Sequence, residues 1–512
     1  MQMETVAPIM FGSMIFVMLI GFPVAFSLAA LGLFFGFFAI EMGFFPAAYM
    51  ANLPLRVFGI MSNDLLLSIP FFTFMGAILE RCGLAEDLLE GSGQLFGGFP
   101  GGLAYAVIIV GAILGAITGT VAASVIAMGV ISLPVMMRYG YDMKFATGVI
   151  AASGTITQLI PPSLVLVVLA DQLGKSVGDM YKGAIGPSIM QTAIFLLYTF
   201  GVAMLRPKWV PPLPPEARTQ RGWALWRRVL WGMVPSVVLI FLVLGTIFMG
   251  LATPTEAGAM GAVGALVLAA MHRRLTWELV WQGMTSTARL TAMVVFILIG
   301  STVFSLVFQG VDGALWIEHH LTSLPGGQTG FLIIVNIAVF FLAFFLDFFE
   351  IAFIIVPLLA PVAAKLGIDL IWFGVLLCVN MQTSFMHPPF GFALFYLRGI
   401  ADQIYKNKTI DTPIKSRDIY LGAIPWVVMQ LILVAIVIAW PGSVTMWLDK
   451  EVAIDVDKVK LEAPPEASDA KDDTKDGKDT AAPGSPTSSG LPMPDKQDDE
   501  DPAKLLEKQM KK

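Results

Sequence analysis

Charge is scarce in this chain, and so are the residues that metal and redox chemistry need. Only 14% of the 512 residues are Asp, Glu, Lys or Arg, and there are four histidines and two cysteines. Cys82 and Cys378 stand far apart, so no CxxC or mixed Cys/His metal spacing exists, and no cofactor is expected. The sequence has no P-loop, no H-E-x-x-H and no nucleophile elbow, which removes the usual signatures of ATP use and hydrolysis; an enzyme is not expected. Basic residues are not in excess either. The net charge is −6, and nothing points to nucleic acid as a partner. The N-terminus carries Glu4 and no basic leader, so residues 8–20 read as a retained first span and not a cleaved signal.

What is abundant is apolar sequence. The chain is 56% hydrophobic with a mean hydropathy of +0.76, and many of its apolar runs reach the length that crosses a lipid bilayer. These runs are long and uninterrupted, not the short alternating strands of a membrane β-barrel, so the class is an all-α polytopic membrane protein. Charge is also placed unevenly. Residues 449–512 hold 11 lysines and 17 acids and so carry the whole −6. That composition buries too little apolar surface to fold alone, and residues 442–512 are expected to be a disordered acidic tail.

Two apolar helices are interrupted in the same way. One reads AASGTITQLIPPS, the other CVNMQTSFMHPPFG, and their proline pairs, Pro161-Pro162 and Pro388-Pro389, are 227 residues apart. Proline has no N–H and its ring clashes one turn back, so neither helix continues normally. Within lipid, broken backbone is tolerated only where it lines a protein cavity. The broken helices are predicted over residues 144–172 and 371–400. Before each lies a long element with a polar middle: residues 102–137, centred on Thr118-Gly119-Thr120, and residues 329–365, centred on Asp347 and Glu350. Each is too long for one span and is predicted to be a re-entrant hairpin, with tips near 118–121 and 346–351. Residues 276–289 read as an amphipathic segment preceding a separate span at 290–308.

The same offset of 227 pairs Pro134 with Pro361, Gly140 with Gly367 and Asp142 with Asp369. Past a 12-residue insertion, Asp179, Tyr181, Gly183, Ala184 and Ile185 match Asp418, Tyr420, Gly422, Ala423 and Ile424. The chain therefore divides into a first repeat at residues 1–205, a linker at 206–228 and a second repeat at 229–441. The linker contains PPLPP, and its basic residues outnumber Glu216, which reads as cytoplasmic by the positive-inside rule. Each half then crosses five times with the hairpin counted as none. The halves take opposite orientations, an inverted-topology repeat of the kind found in secondary transporters.

Broken helices expose unpaired N–H and C=O groups, which suit anions at N-terminal ends and Na⁺ at carbonyl-rich ends. The first candidate set is Thr118, Gly119, Thr120 and Ser124 with Ser153, Gly154, Thr155, Thr157 and Gln158, beside Pro161 and Pro162. The second is Asp347 and Glu350 with Asn380, Gln382, Thr383 and Ser384, beside Pro388 and Pro389. An acid at membrane depth costs about 2.5–3.5 kcal/mol on insertion scales, so at least one of Asp347 and Glu350 is expected to line an ion or substrate path. Sodium is the expected coupling ion at these loops. His387, beside the second break, is read chiefly as a structural residue.

The segments IPFFTFMGAILERCGLAEDL, FGGFPGGLA, GAITGTVAASVIAMG, LIPPS, TPTEA, and GIDLIWFG followed by HPPFGFALFYL resemble the large membrane subunit of tripartite ATP-independent periplasmic (TRAP) transporters. The resemblance covers about residues 8–441. It implies membership of the ion-transporter superfamily, with an elevator-type fold of two re-entrant hairpins and two broken helices. It also implies Na⁺-coupled uptake of an organic acid, with a small four-helix membrane subunit and an extracytoplasmic solute-binding protein as partners, in a bacterial cytoplasmic (inner) membrane. Around the first tip many members carry Gly-Ser-Ser where this chain has Thr118-Gly119-Thr120-Val121. The second break and the long linker resemble a branch associated with 2-oxo acids and related monocarboxylates. A stand-alone sodium-coupled dicarboxylate carrier is the competing expectation.

Overall fold

The computed structural model describes residues 3–218, 222–387, 391–410 and 412–449. Pro388 and Pro389 fall outside the described residues, as does the tail beyond residue 449. Among the described residues there are helices and turns but no strand. Among these residues eight helices are long and apolar enough to cross a membrane, or up to ten if two bent pairs each count as one span.

Helix ends are set by local chemistry. Asn63, Asp142, Ser163, Ser176, Thr276 and Asp369 each accept a backbone N–H from the first turn that follows, which satisfies one of the helix's orphan donors. Thr253 and Glu256 close a reciprocal capping box, with Pro254 at the first helical position. Gly140 and Gly367, 227 residues apart, both sit at positive φ (78° and 72°) just before the matching caps Asp142 and Asp369.

Two groups of helices result. In the first, Val24–Glu41 lies along Trp277–Gly310, while Asp64–Arg81 lies along Pro254–Met271. Small residues let these backbones approach: a Cβ on Gly300 would stand 2.3 Å from the Ala25 carbonyl oxygen. Trp223–Phe248 packs on Pro254–Met271 and on the amphipathic helix Leu84–Phe96.

The second group holds both hairpins, both broken helices, Val177–Leu205 and Ser416–Ala439. Gly102–Thr118 and Val121–Arg138 form the first hairpin. Its two ends meet, since Leu103 N donates to the Tyr141 hydroxyl at 3.3 Å. Gly327–Leu342 runs out to the second turn, and Phe348–Glu350, a π-helical stretch Ile351–Ile355 and Val356–Lys365 return from it. Gln328 Nε2 donates to the Leu366 carbonyl at 2.6 Å and fixes those ends together. Ser416–Ala439 packs on Met143–Thr155, and Val177–Leu205 on Leu370–Met381. The crossings are alike: a Cβ on Gly422 would meet the Lys144 carbonyl oxygen at 2.2 Å, and one on Gly183 would meet Ile371 at 3.1 Å. Lys144 and Ile371 are themselves separated by the repeat offset.

Several sequence-based boundaries move. The predicted linker, 206–228, ends sooner, because Trp223 already begins a 26-residue helix. That shorter linker is not loose. Gly101 N donates to Val210 O (2.8 Å), Leu213 N to Gly97 O (2.8 Å) and Asp142 N to Trp209 O (2.9 Å), so the linker straps both ends of the first hairpin. The predicted tail, 442–512, begins with ordered structure. Gly442–Thr445 is a short helix with Ser443 and Val444 buried against Val177–Leu205, and Lys182 pairs with Asp449 at 2.5 Å. The amphipathic segment at 276–289 and the span at 290–308 are one 34-residue helix. The second tip is a turn over residues 343–347 and not 346–351, since Asp347 caps a helix that resumes at Phe348.

Candidate functional site

The first broken helix stops in stages. Met143–Thr155 tightens into a 3₁₀ turn, Ile156–Gln158, and the chain then passes through Pro161 and Pro162. Ser163 restarts the helix: its hydroxyl accepts from Val165 N at 3.2 Å and donates to the Gln158 carbonyl. The same carbonyl accepts from Cys378 Sγ at 3.4 Å, which ties the first break to the second broken helix. The second broken helix repeats the pattern with Leu370–Met381, the 3₁₀ segment Gln382–Met386, and a restart at Phe392.

Each hairpin leans on its own broken helix. Gly111 and Gly115 bring the first hairpin onto Ser153 and Thr157, and Gly154 brings the break onto Val125. Thr157 Oγ1 bonds Ser124 Oγ at 3.1 Å just beneath the tip. In the second half, Asn380 Nδ2 donates to the carbonyl of Asn336 (2.8 Å) and to its side-chain oxygen (3.1 Å) on the outgoing arm. Ring stacking adds to this contact: His387 lies 4.0 Å from Phe344 and 4.4 Å from Phe340, centroid to centroid.

Both tips and both breaks then converge on one cavity of about 230 Å³. The first tip contributes Gly119 and Thr120 and the second contributes Asp347. The breaks contribute Gln158 and Leu164 on one side and Phe385 and Phe392 on the other. The returning arms begin here, at Val121 and Phe348, as do the resumed helices at Leu164 and Phe392. Four helix N-termini therefore lie along its wall, the ends whose backbone N–H groups and partial positive charge favour an anion. A neighbouring cavity of about 290 Å³ joins Asp347 to Ser384.

Polar side chains near the breaks are buried without enough partners. Ser153 Oγ, both amide atoms of Gln158, both of Gln382 and Asn380 Oδ1 find no hydrogen bond among the described residues. Leaving such a group unmet costs on the order of 1–3 kcal/mol, which a coordinated cation or a bound polar group would offset. No group of three or more His, Cys, Asp or Glu suited to a metal occurs among the described residues, so cation coordination here would rest on neutral oxygens with Asp347.

The predicted residues are thus partly brought together. Gly119, Thr120 and Asp347 line the main cavity, and Asp347 and Ser384 share the second. Thr157 and Ser124 form the bond under the first tip. Ser153, Gly154, Thr155, Asn380, Gln382 and Thr383 are buried behind the cavities. Pro162 is buried near Gly119, whereas Pro161 lines a separate apolar cavity toward Val177–Leu205 and Trp223–Phe248. Glu350 lines neither cavity; it returns the Asp347 cap by accepting from Asp347 N at 3.0 Å. The Thr118 side chain, Pro388 and Pro389 lie outside what is described. Sequence reasoning passed over Asn336, Tyr396 and Gln430, whose amide donates to Thr155 Oγ1 at 2.9 Å. For Gln430 a signal existed, because Gln191 precedes it by the same 239 residues that separate Gly183 from Gly422.

Fold and site together define a multi-pass helical membrane transport protein. The solved structure of the YdaH transporter of Alcanivorax borkumensis shares the fold, with a TM-score of 0.57 at 13% identity over 81% of this chain and 98% of that one. The chain belongs to the tripartite ATP-independent periplasmic transporter family, DctM component, whose model matches residues 11–443. It is 30% identical over 453 residues to the C4-dicarboxylate TRAP transporter large permease of Rhodobacter capsulatus, covering 85% of this chain and 97% of that relative. It is 26% identical to the sialic acid TRAP large permease of Vibrio cholerae, over 82% of this chain and 93% of that one. The 2,3-diketo-L-gulonate permease of Escherichia coli is 26% identical, over 74% and 86%. These relatives are transport permeases and not enzymes.

Proposed function

We propose that the chain is the permease through which a bacterial cytoplasmic membrane imports an organic acid anion, driven by a Na⁺ gradient. A solute-binding protein outside the membrane delivers the anion, and a small four-helix membrane subunit completes the system. The named substrates of the relatives are all acids, which supports the substrate class; a 2-oxo acid or related monocarboxylate is the narrower reading. The observation that carries the proposal is the single cavity framed by both hairpin tips and both breaks, with Gln158 unpartnered and Asp347 on its wall.

In this reading the substrate carboxylate sits at the helix N-termini, and Na⁺ takes the oxygens of the breaks with Asp347. The two halves are inverted repeats with the linker on the cytoplasmic side. Matched caps at Asp142 and Asp369 and reciprocal crossings at Gly183 and Gly422 support that pairing. The hairpins and broken helices then move as one body against the group containing Trp277–Gly310, as in an elevator.

Proteoliposomes holding the permease and its partners should accumulate the acid only under an inward Na⁺ gradient. Replacing Na⁺ with K⁺ should reduce uptake to background, and ATP should not restore it. Undiminished uptake in K⁺ would sink the coupling.

A further inference from the structure

The walls of the central cavity carry more information than its position does. Thr120, Gln158, Asp347 and Tyr396 are its polar lining residues, the Gln158 amide itself being buried, and no Lys, Arg or His is among its described lining residues. The rest is apolar, and five of the side chains are aromatic rings: Phe348, Phe349, Phe385, Phe392 and Tyr396. Phe385 and Phe392 pair across the second break with centroids 6.1 Å apart, so a ring bed spans the gap between the two arms.

Charge decides what such a cavity accepts. One carboxylate can be met by helix N-termini, which offer backbone donors and only a fraction of a positive charge. The one cation of the proposed site, Na⁺, is already matched by Asp347, and the lining residues supply no other, so a second carboxylate on the same small molecule would be left unpaired beside that acid. Rejection here arises from a desolvated charge left unpaired and from like-charge proximity, which together discriminate more sharply than shape. The body of the ligand meets rings, whose faces and edges reward a flat apolar partner. A volume of about 230 Å³ is large enough for a ring-sized body.

We propose that this cavity selects monocarboxylates with an apolar, ring-sized body over dicarboxylates, with Phe385 and Tyr396 as the specificity-determining residues. The inference rests on the reading of the cavity as the substrate site. Tyr396 stands on Phe392–Lys406, one turn beyond the restart, and Phe385 on the last turn before the break. The two residues approach the ligand from opposite arms of the second broken helix.

Isothermal titration of the purified full chain in nanodiscs, with NaCl, tests this using 3-phenylpropanoate, acetate and succinate. The expected order is 3-phenylpropanoate at least tenfold tighter than acetate, and succinate weakest. Tyr396→Ala and Phe385→Ala should each cut the advantage of 3-phenylpropanoate over acetate to less than threefold. Met293 also lines the cavity and is 43% exposed, leaving room for a long side chain. Met293→Arg supplies the missing cation and should raise succinate affinity at least tenfold. If succinate binds the unaltered protein best while these variants still change its affinity, the cavity is the substrate site and the proposed class is wrong. If the variants leave every affinity unchanged, or no carboxylate binds, both readings fall.

Discussion

Asp347→Asn should abolish Na⁺-dependent uptake, with at least a tenfold loss of initial rate, in a protein that remains folded. The substitution isolates charge because Asn can serve the same capping role. Asp347 Oδ1 accepts from Glu350 N at 3.0 Å, and an Asn side-chain oxygen accepts equally well at a helix start. What is removed is the carboxylate on the wall shared by the two cavities. A charge at this depth costs about 2.5–3.5 kcal/mol on insertion scales, which a bound cation compensates. Glu350→Gln gives the contrast. Glutamine preserves the reciprocal box, and Glu350 lines neither cavity, so uptake should stay within about threefold of the unaltered protein. Uptake against Na⁺ concentration in proteoliposomes, beside thermal unfolding in detergent, separates the two roles. A normal Na⁺ response in Asp347→Asn would reduce that acid to a helix cap.

Gly422→Leu should be strongly destabilising although it lies away from the cavity. Its Cβ would stand 2.2 Å from the Lys144 carbonyl oxygen, and a Cβ on the facing Gly148 would stand 2.3 Å from the Gly422 carbonyl oxygen. Both obstacles are backbone, so neither can swing aside. Overpacking of this kind costs about 1–3 kcal/mol or more, and here it would prise Ser416–Ala439 from the first broken helix. Gly201→Leu, where nothing lies within 4 Å of an added Cβ, is the control in the same helix group. The midpoint of thermal unfolding should fall by several degrees in the first variant and hold in the second. Equal midpoints would mean the crossing is more yielding than its distances imply.

Much of this architecture was legible because it is written in residues that act on their own backbone. Pro161, Gly140 and Asp142 interrupt, turn and cap the chain wherever they stand, so their repetition at 388, 367 and 369 marked the second copy before any contact was known. The hairpin tips show where that logic thins. At the first, Gly119 adopts φ 63° and the turn falls where the polar triplet put it. At the second, the acids that suggested a tip are the start of the returning helix, and the turn itself uses the apolar residues Ala343 to Leu346, which carry no turn signal. The partners of the candidate residues were out of reach for another reason. Asn336 meets Asn380 across 44 residues and Gln430 meets Thr155 across 275, and periodicity reports nothing about contacts made between distant helices. The long helix Trp277–Gly310 was read as two pieces because its first turns are exposed and polar while its later ones are buried.

The strap across the base of the first hairpin bears on where this polypeptide can be divided. Residues 209–213 belong to the first half, since their three backbone bonds to distant residues all go to the ends of that hairpin. Two separately expressed fragments meeting at residue 220 would leave the strap whole on the first fragment and should copurify as an active pair. Fragments meeting at residue 207 would leave Gly101 N and Asp142 N without their acceptors, and the first fragment should be recovered in poor yield. The connection between the halves is, in this sense, the last structural element of the first one.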